Sequence, residues 1–475
     1  MSRAESNFNK QTPIAIIGMG ALFPDASNFT EFWQNILSGK NSVKGVPEEY
    51  WRISDYFDND PKSRDKTYSK VGAFLPKIPF SPVEFGIPPK QVESVATQQL
   101  LSLYLAKRTL EDAGFEGDEP KTYNKEKTGV ILAAGMGASA FSLASRLDSP
   151  YLEKILHSLK VPPQVSEAVM NRYKKGFLEW DESSFPGFLA NVVAGRIANR
   201  FNFGGTNCVV DAACASSLAA IKMAMRELSF GDCDTVLTGG CNLENSLFSY
   251  VSFSKTPALS PTGASRPYDE KADGILLGEG AGMILLKRLA DAERDGDRIY
   301  AVIKGVGSAS DGRSGSIYAP NPKGQHSVLQ RAYEEANILP QTVGLIEGHG
   351  TGTVAGDACE TAALDAFFKI DGQEKIPLGS VKSQIGHTRM AAGVAGVIKA
   401  ALALQQKILP ASINFENGKN SNNPASPFYV ITDKTPWISG PYKRSAGVSS
   451  FGFGGANFHI VLEEYESDHS SPYRL

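Results

Sequence analysis

Short apolar runs that end in glycine alternate with amphipathic segments along most of the chain. In the first half, such runs occupy residues 13–23 (PIAIIGMGALF), 127–137 (KTGVILAAGMG) and 233–241 (CDTVLTGGC). Each predicts a buried strand followed by a turn. Residues 98–114 (TQQLLSLYLAKRTLEDAG) have helical spacing and stop at a glycine, which predicts a helix. The alternation predicts an α/β chain of layered sheets covered by helices.

The second half of the chain repeats this alternation of apolar runs that end in glycine with amphipathic segments. Five further apolar runs end in glycine-rich elbows: GMILLKRL, IYAVIKGVGSASDG, TVGLIEGHGTGT, IPLGSVKSQIGH and SAGVSSFGFGGANFHIVLEE. The likeness of the halves suggests a duplication, although the sequence has no repeat of fixed period. Residues 145–185 are more charged and helical, which indicates an insertion or cap. Residues 467–475 form a polar tail that we expect to be loose or to act as a linker.

Length, charge and cysteine content narrow the class of protein. The 475 residues suffice for one large or two ordinary domains with a substantial core. A net charge of −3 and a pI near 6.2 give no indication of nucleic-acid or anionic-membrane binding. No apolar run is long enough to span a bilayer, and the polar N-terminus does not resemble a signal peptide. Five cysteines without a C-x-x-C pair make a poor disulfide framework. We therefore expect a cytoplasmic protein without membrane insertion.

One cysteine stands at the junction of a predicted strand and a predicted helix. The stretch CVVDAACASSLAAI, residues 208–221, begins as a strand and continues as a helix after Cys214. The unpaired N–H groups and positive dipole end of a helix N-terminus favour a thiolate, the nucleophilic form of cysteine. The alternative is that Cys214 is a small buried apolar side chain, as most free cysteines are. We favour that second interpretation for the other four cysteines, Cys208, Cys233, Cys241 and Cys359.

Two histidines lie where reacting groups sit in α/β folds. His349, in EGHGTGT, and His387, in SVKSQIGHTRMAAG, follow apolar strands and lie in glycine-rich loops. A cysteine with two such histidines is typical of a thiol nucleophile with its partners. Zinc binding is the alternative, but these three candidate ligands are far apart in the chain and a fourth is not obvious, so no metal site is predicted. Three further histidines lie in polar or helical surroundings and are interpreted as ordinary: His157, His326 and His469.

Glycine-rich loops raise a second alternative, a dinucleotide-binding oxidoreductase. Residues 18–23 (GMGALF) and 135–140 (GMGASA) carry the first two glycines of the dinucleotide fingerprint without the third. Residues 278–282 (GEGAG) precede a strand-like run, which is the wrong order for that fingerprint. Tight turns and close backbone packing account for these glycines, so this alternative is the weaker one.

Four motifs stand in order along the chain: DAACASSL, EGHGTGT, KSQIGH and SFGFGGANFH. They resemble the nucleophile motif, the two histidine motifs and the C-terminal glycine-rich loop of the β-ketoacyl synthases, the condensing enzymes of fatty acid and polyketide assembly. The resemblance implies a thiolase-like α/β fold, in which two similar halves stack as a five-layer α/β/α/β/α domain. We accordingly expect a ketosynthase domain over residues 12–466, with halves of about 12–270 and 271–466.

The resemblance implies a role for each reacting group. Cys214 would take an acyl group from a phosphopantetheine thioester on an acyl carrier protein. A malonyl-type thioester would then lose carbon dioxide and attack the acyl group, with His349 and His387 stabilising the enolate oxygen and assisting decarboxylation. The backbone N–H groups of Cys214 and Phe453 would form the oxyanion hole. The resemblance implies no bound cofactor beyond the carrier's phosphopantetheine, and it leaves open how the two histidines divide the work.

Other residues implied by the resemblance hold the site together and contact the carrier arm. Lys382 would pair with Glu360, and the apolar residues beside Lys382 favour this because a lone buried charge is costly. Thr351 and Thr353 would hydrogen-bond the pantetheine arm. Phe453, flanked by glycines, would gate the acyl pocket.

Four stretches outside the motifs indicate which subfamily of the β-ketoacyl synthases the chain resembles. Residues 67–89, 184–220, 252–258 and 293–320 are similar to the first condensing domain of polyunsaturated fatty acid synthases, with other iterative polyketide or glycolipid synthases as the alternative. A thiolase-like degradative enzyme is more distant, since it would need a second cysteine where this chain has FGFGGANFH. A non-catalytic interaction module would not need Cys214 and its partners together. The resemblance implies carrier-protein domains and an acyltransferase of the same synthase as partners, and a homodimer joined through the strand NCVVD.

Overall fold

Most strands of the protein belong to one large mixed sheet. The computed structural model describes residues 12–137, 139–313, 315–369, 374–418, 426–438 and 440–466, so the tail predicted at 467–475 lies outside the described residues. Within these ranges, eleven strands hydrogen-bond in a continuous row, and two two-stranded sheets stand apart from it. The strands are β1 Ile14–Leu22, β2 Val43–Gly45, β3 Val71–Ala73, β4 Thr128–Ala133, β5 Asn207–Val210, β6 Thr235–Asn242, β7 Gly280–Arg288, β8 Ala301–Ser310, β9 Leu345–Glu347, β10 Ile376–Gly379, β11 Ile408–Leu409, β12 Phe428–Val430, β13 Thr435–Pro436, β14 Ser445–Gly452 and β15 Ala456–Glu463.

Helices connect the strands and cover the sheet. They are α1 Phe29–Leu37, α2 Ile53–Tyr56, α3 Thr97–Asp112, α4 Ser139–Leu147, α5 Ser149–Ser158, α6 Pro163–Lys174, α7 Ser184–Phe188, α8 Asn191–Phe201, α9 Ser216–Phe230, α10 Leu247–Lys255, α11 Leu289–Arg294, α12 Pro322–Ala336, α13 Val354–Phe368, α14 Lys382–Ile385 and α15 Ala392–Gln406. The helix predicted over 98–114 is confirmed as α3, and the helical character predicted over 145–185 is confirmed by α4 to α7. In the part of the chain that the structure describes, no helix has the length and apolar character needed to cross a bilayer.

The two halves of the chain have the same sheet topology. Five strands of each half follow one order, β5-β4-β6-β7-β1 in the first half and β10-β9-β14-β15-β8 in the second, and β12 is an additional edge strand of the second half, next to β10. Counted within each half, both orders read 3-2-4-5-1, and in both the first two neighbouring pairs are parallel and the last two antiparallel. A short antiparallel pairing of β1 with β8 joins the halves. The shared topology explains why the two halves of the sequence look alike.

The boundary between the halves lies later than expected. The sequence placed it between residues 270 and 271, but β7 pairs with β1 and β6 of the first half. The division therefore falls between β7 and β8. The expected boundary is wrong because hydrogen-bond partners decide which half a strand joins, and an apolar run does not reveal its partners.

Helices form three layers around the two half-sheets. Helices α3 and α8 pack together on the outside of the first half, and α12 and α13 on the outside of the second. Between the half-sheets, α9 and α15 pack against each other. Nearly every residue of α15 is buried, as expected for a helix that has neighbours on all sides. The resulting order of layers is the five-layer α/β/α/β/α arrangement of the thiolase-like fold.

Candidate active site

Cys214 lies at an elbow between β5 and α9. It is the middle residue of a single 3₁₀ turn, Ala213–Ala215, and Ala213 has a left-handed φ of 51°, which turns the chain sharply between the strand and the helix. The hydroxyl of Ser450 on β14 donates a hydrogen bond to the carbonyl oxygen of Cys214 at 2.7 Å. The elbow predicted from the sequence is confirmed, and a neighbouring strand of the other half holds it in place.

The thiol of Cys214 is buried among groups that favour its ionised form. Only 9% of the residue is exposed, and this burial raises the pKa of the thiol to about 11. The positive charges of Lys382 and Arg389 oppose the rise, as do the backbone N–H groups of Phe453 and of Cys214 itself. These are the two N–H groups that the sequence assigned to the oxyanion hole. The thiol is therefore protonated at neutral pH, in surroundings that stabilise negative charge.

The two histidines of the motifs meet beside this thiol. The rings of His349 and His387 lie edge to face, with centroids 5.4 Å apart. Nδ1 of His387 accepts a hydrogen bond from the backbone N–H of Arg389 at 3.1 Å, so the neutral ring carries its proton on Nε2. Burial, reinforced by the charge of Lys382, holds the pKa of each histidine well below its ordinary value of 6.5. Both rings are thus neutral at pH 7 and act as N–H donors, not as cations.

The loop that carries His349 is fixed by a buried carboxylate. Glu360 on α13 accepts hydrogen bonds from the backbone N–H groups of His349 at 2.7 Å and Gly350 at 2.8 Å. It also accepts one from the Tyr268 hydroxyl at 2.9 Å. Three donors on one buried carboxylate leave the loop little freedom. Glu360 therefore positions His349, although it does so through the backbone.

The predicted ion pair between Lys382 and Glu360 is wrong. The two side chains form no direct salt bridge, and the oxygens of Glu360 instead accept hydrogen bonds from the loop that carries His349 and from Tyr268. Lys382 is buried, and it lies close enough for its charge to oppose the rise in the pKa of Glu360 that burial causes. The same charge lowers the pKa of both histidines. Lys382 thus acts on the site by its electrostatic field.

Most of the predicted site residues line one pocket. Its volume is about 300 Å³. Of the five cysteines, only Cys214 lines it, while Lys382 and Glu360 lie behind its wall. In the described ranges no group of three or more histidine, cysteine or acidic side chains is placed to hold a metal ion. The predicted residues that line the pocket are Cys214, His349, Thr351, Thr353, His387 and Phe453.

The mouth of the pocket has a polar side and an aromatic side. On the polar side, the hydroxyls of Thr351 and Thr353 lie 3.0 Å apart. On the aromatic side, Phe453 is 45% exposed and lies between Phe253, with ring centroids 6.3 Å apart, and Tyr318, with centroids 5.8 Å apart. Such ring contacts contribute only about 0.5–1.5 kcal/mol each beyond burial, so a modest free energy suffices to displace Phe453.

Sequence reasoning missed a second carboxylate at the start of α13. Asp357 accepts hydrogen bonds from the backbone N–H groups of Thr351 and Gly352, both at 3.1 Å, and from that of Tyr268 at 2.6 Å. Burial raises the pKa of Asp357 to about 7. Its spacing of three residues from Glu360 was the available signal, since side chains three apart share one face of a helix.

A buried ion pair and a half-buried arginine were also missed. Lys399 and Glu347 are almost fully enclosed and pair at 2.6 Å. A lysine inside the apolar helix α15 was a signal for a partner, because an unpaired buried charge is costly. Arg389 gave no such signal, since arginines in loops are usually exposed.

Comparison with known proteins identifies the family. Residues 11–292 match the β-ketoacyl synthase N-terminal domain. The chain belongs to the β-ketoacyl synthases. Residues 300–416 match the family's C-terminal domain and residues 424–475 a ketoacyl-synthetase C-terminal extension. The chain is accordingly an acyltransferase, a condensing enzyme of the 3-oxoacyl-[acyl-carrier-protein] synthase type.

Similar proteins include components of larger synthases. The chain is 45% identical over 486 aligned residues to one subunit of the polyunsaturated fatty acid synthase of Thraustochytrium, and the match covers 100% of this chain and 17% of that protein. It is 35% identical to polyketide synthase PksN of Bacillus subtilis, with coverage of 96% and 8%. The chain thus spans less than a fifth of the length of these two relatives.

Solved structures of ketosynthases share the fold. A ketosynthase domain of oxazolomycin assembly from Streptomyces albus superposes with a TM-score of 0.82 at 31% identity, covering 97% of this chain and 75% of that one. The PfaC keto synthase–chain length factor superposes with a TM-score of 0.86 at 31% identity, covering 97% and 49%. These matches agree with the five-layer architecture described above.

Proposed function

We propose that the chain extends acyl groups by malonyl units in the iterative synthesis of long polyunsaturated chains. The observation that carries this proposal is the pocket in which the Cys214 thiol meets two backbone N–H donors and the neutral rings of His349 and His387. The subfamily rests on the similarity to the polyunsaturated fatty acid synthase of Thraustochytrium. The alternative within the family is a ketosynthase of another iterative polyketide or glycolipid synthase.

The first step is transfer of the acyl group to Cys214. The thiol loses its proton, and the thiolate attacks the acyl thioester of the carrier's phosphopantetheine. A bond forms between Sγ and the acyl carbon, the bond to the carrier sulfur breaks, and the carrier thiol takes up a proton. The N–H groups of Cys214 and Phe453 stabilise the oxyanion that forms in between.

The second step joins the two substrates. A malonyl thioester on the carrier loses carbon dioxide, and the electron pair of the broken bond becomes an enolate. The Nε2–H of His387 faces this oxygen as a hydrogen-bond donor, with His349 beside it. The enolate carbon attacks the acyl carbon on Cys214, the bond to Sγ breaks, and a β-ketoacyl carrier thioester leaves.

Residues at the mouth of the pocket guide the carrier arm. In this proposal the hydroxyls of Thr351 and Thr353, which line the pocket, hydrogen-bond the amides of phosphopantetheine. Phe453 moves aside to admit the chain. The carrier protein and the acyltransferase that charges it belong to the same synthase in this proposal.

We expect the protein to load medium or long straight acyl groups and to extend them with malonyl units. The physical reason is that a growing flexible chain needs a deep apolar pocket behind Phe453. Intact-protein mass spectrometry with a series of acyl-pantetheine thioesters measures loading, and malonyl against methylmalonyl carrier protein measures extension. A strict preference for acetyl or for α-branched groups would contradict the subfamily while leaving the condensing activity in place.

We further expect a homodimer that is joined through β5. This strand lies at an open end of the eleven-stranded sheet, and an unpaired edge strand is a template for another chain. Within the sheet, β5 has a neighbour, β4, on one side only. On that side the N–H of Val130 donates a hydrogen bond to the carbonyl oxygen of Thr206 at 2.8 Å. Since alternate residues of a parallel strand face the neighbour, the backbone of Val209 faces the open edge.

The dimer prediction is tested by light scattering at micromolar concentration. The native protein should have twice the 51.0 kDa of one chain. Val209→Pro removes an outward-facing N–H and should shift the mass toward the monomer, whereas Val209→Ala keeps that donor and should stay dimeric. A native protein of 51.0 kDa would refute the dimer, and a dimeric Val209→Pro variant would place the interface elsewhere.

A further inference from the structure

A half-buried arginine lies in a turn that packs against the turn of the nucleophile. Arg389 begins a 3₁₀ turn, Arg389–Ala391, two residues after His387, and has a left-handed φ of 49°. This turn packs directly against the turn Ala213–Ala215 that carries Cys214. The backbone conformation is unusual for a non-glycine residue, and it places Arg389 in a turn from a different loop that contacts the turn of Cys214.

Neutral groups alone hydrogen-bond the Arg389 guanidinium. Its three hydrogen bonds go to the Ser249 hydroxyl at 2.8 Å, the carbonyl oxygen of Glu244 at 2.9 Å and Oδ1 of Asn245 at 2.7 Å. Nε has no partner among the described residues. Within the same residues no carboxylate forms a salt bridge with Arg389, in contrast to Lys399, which pairs directly with Glu347. Its positive charge is therefore held in place without being neutralised by a direct partner.

The charged and titratable groups that act on Arg389 include two carboxylates, those of Glu279 and Glu244, together with Tyr250 and Cys214, and Arg389 in turn acts on His387. Among the charges, that of Glu279 has the largest effect. The carboxylate of Glu279 is already bound by the Tyr50 hydroxyl at 2.9 Å and by two backbone N–H groups, those of Leu75 and Asn245. Of these groups, only Cys214 gains a negative charge in the course of the reaction, when its thiol becomes a thiolate.

Two cations oppose the rise in the pKa of the Cys214 thiol, and Arg389 has the smaller effect of the two. The charge of Lys382 has the larger effect in opposing the rise of the Cys214 pKa, and that of Arg389 follows. The neighbouring histidines are neutral and add no charge, and Arg389 also helps to keep His387 neutral by lowering its pKa. An opposite charge a few ångströms away favours the ionised form of a buried group.

We propose that the Arg389 side chain is a positioning residue whose charge, which is held without a direct salt bridge among the described residues, stabilises the Cys214 thiolate during acyl loading. This inference rests on the proposed role of Cys214 as the nucleophile. Its contribution is specific to the step in which Sγ carries negative charge, and disappears once the acyl group is attached and the sulfur is neutral.

The first test measures the reaction of Cys214 with iodoacetamide as a function of pH. This readout requires no acyl substrate, so its failure is distinct from failure of the proposed function. In Arg389→Met the plot of log rate against pH should shift by about 0.5–1 pH unit to higher pH, which lowers the rate at pH 8 roughly 3- to 10-fold. Arg389→Lys retains the charge and should recover most of the rate. Arg196→Met removes another half-buried arginine, which bonds to Gln99, and should leave the plot in place.

The second test leaves Arg389 intact and neutralises its charge from outside. Ser249→Asp places a carboxylate against the guanidinium, and Ser249→Asn is its neutral control of similar size. The aspartate variant should shift the plot in the same direction as Arg389→Met, and the asparagine variant should not. This pair keeps the proposal testable if Arg389→Met does not fold.

A merely structural role would give a different pattern. It would lower the melting temperature of Arg389→Met while leaving the pH dependence of alkylation at the native position. That result overturns the proposal, as does an unshifted plot in Ser249→Asp or a lysine variant that is no faster than the methionine variant.

Discussion

Covalent acyl loading is expected to vanish when Cys214 is replaced by alanine, falling by at least roughly 100-fold because the nucleophile itself is lost. The variant should remain folded, since only a buried sulfur is removed from a turn that the Ser450 hydroxyl continues to hold through the backbone. Intact-protein mass spectrometry after incubation with an acyl-pantetheine thioester measures the loading. Circular dichroism checks the fold.

Cys241 provides a matched control for this experiment. It is fully enclosed on β6, and burial raises the pKa of its thiol to about 11, as it does for Cys214. It differs in lying away from the pocket and its N–H donors. Cys241→Ala should load normally. Loading at the native level in Cys214→Ala would remove Cys214 from the mechanism.

Condensation is expected to fall by about 10²–10⁴-fold in His387→Ala and in His349→Ala, while acyl loading stays within several-fold of the native rate. The reason is that the rings donate hydrogen bonds to the enolate, whereas the oxyanion of acyl transfer is stabilised by backbone N–H groups. Loading by mass spectrometry and β-keto product from malonyl carrier protein are measured separately. His326→Ala, a half-buried histidine outside the pocket, is the control.

The pH dependence of condensation provides an independent check on the two rings. Because the folded-state pKa of each histidine lies well below 6.5, protonation does not begin as the pH falls through 6.5. Condensation by the preacylated enzyme should therefore stay level between about pH 8 and 6. A loss with a midpoint near 6.5 would show that an imidazole with an ordinary pKa takes part. Native-level condensation in either alanine variant would exclude that histidine.

The pattern of apolar runs was enough to predict the local elements of this fold. The runs at 13–23, 127–137 and 233–241 became β1, β4 and β6, because an uninterrupted apolar segment of that length ending in glycine is stable mainly as a buried strand. The helix α3 was predicted from the helical spacing of its apolar residues and from the glycine that follows them. The strand and helix flanking Cys214 followed from the same local rules.

The motifs also predicted which residues line the site. Cys214, His349 and His387 come together in one pocket with Thr351 and Phe453. Each follows the end of a strand or forms part of a glycine-rich loop, and the ends of neighbouring strands meet at one edge of a sheet. Sequence by itself therefore determined the elements named above, the family and the reacting residues of the pocket.

Only the tertiary structure decided how the charges are arranged. The partners of Glu360 proved to be Tyr268 and the loop of His349, leaving Lys382 to act through space. The charge of Arg389 acts on the thiol because two turns from separate halves of the chain pack together. Likewise β7 joins the first half through its pairing with β1 and β6. Electrostatic interactions and strand pairing depend on distances between residues remote in sequence, and those distances are fixed only when the layers assemble.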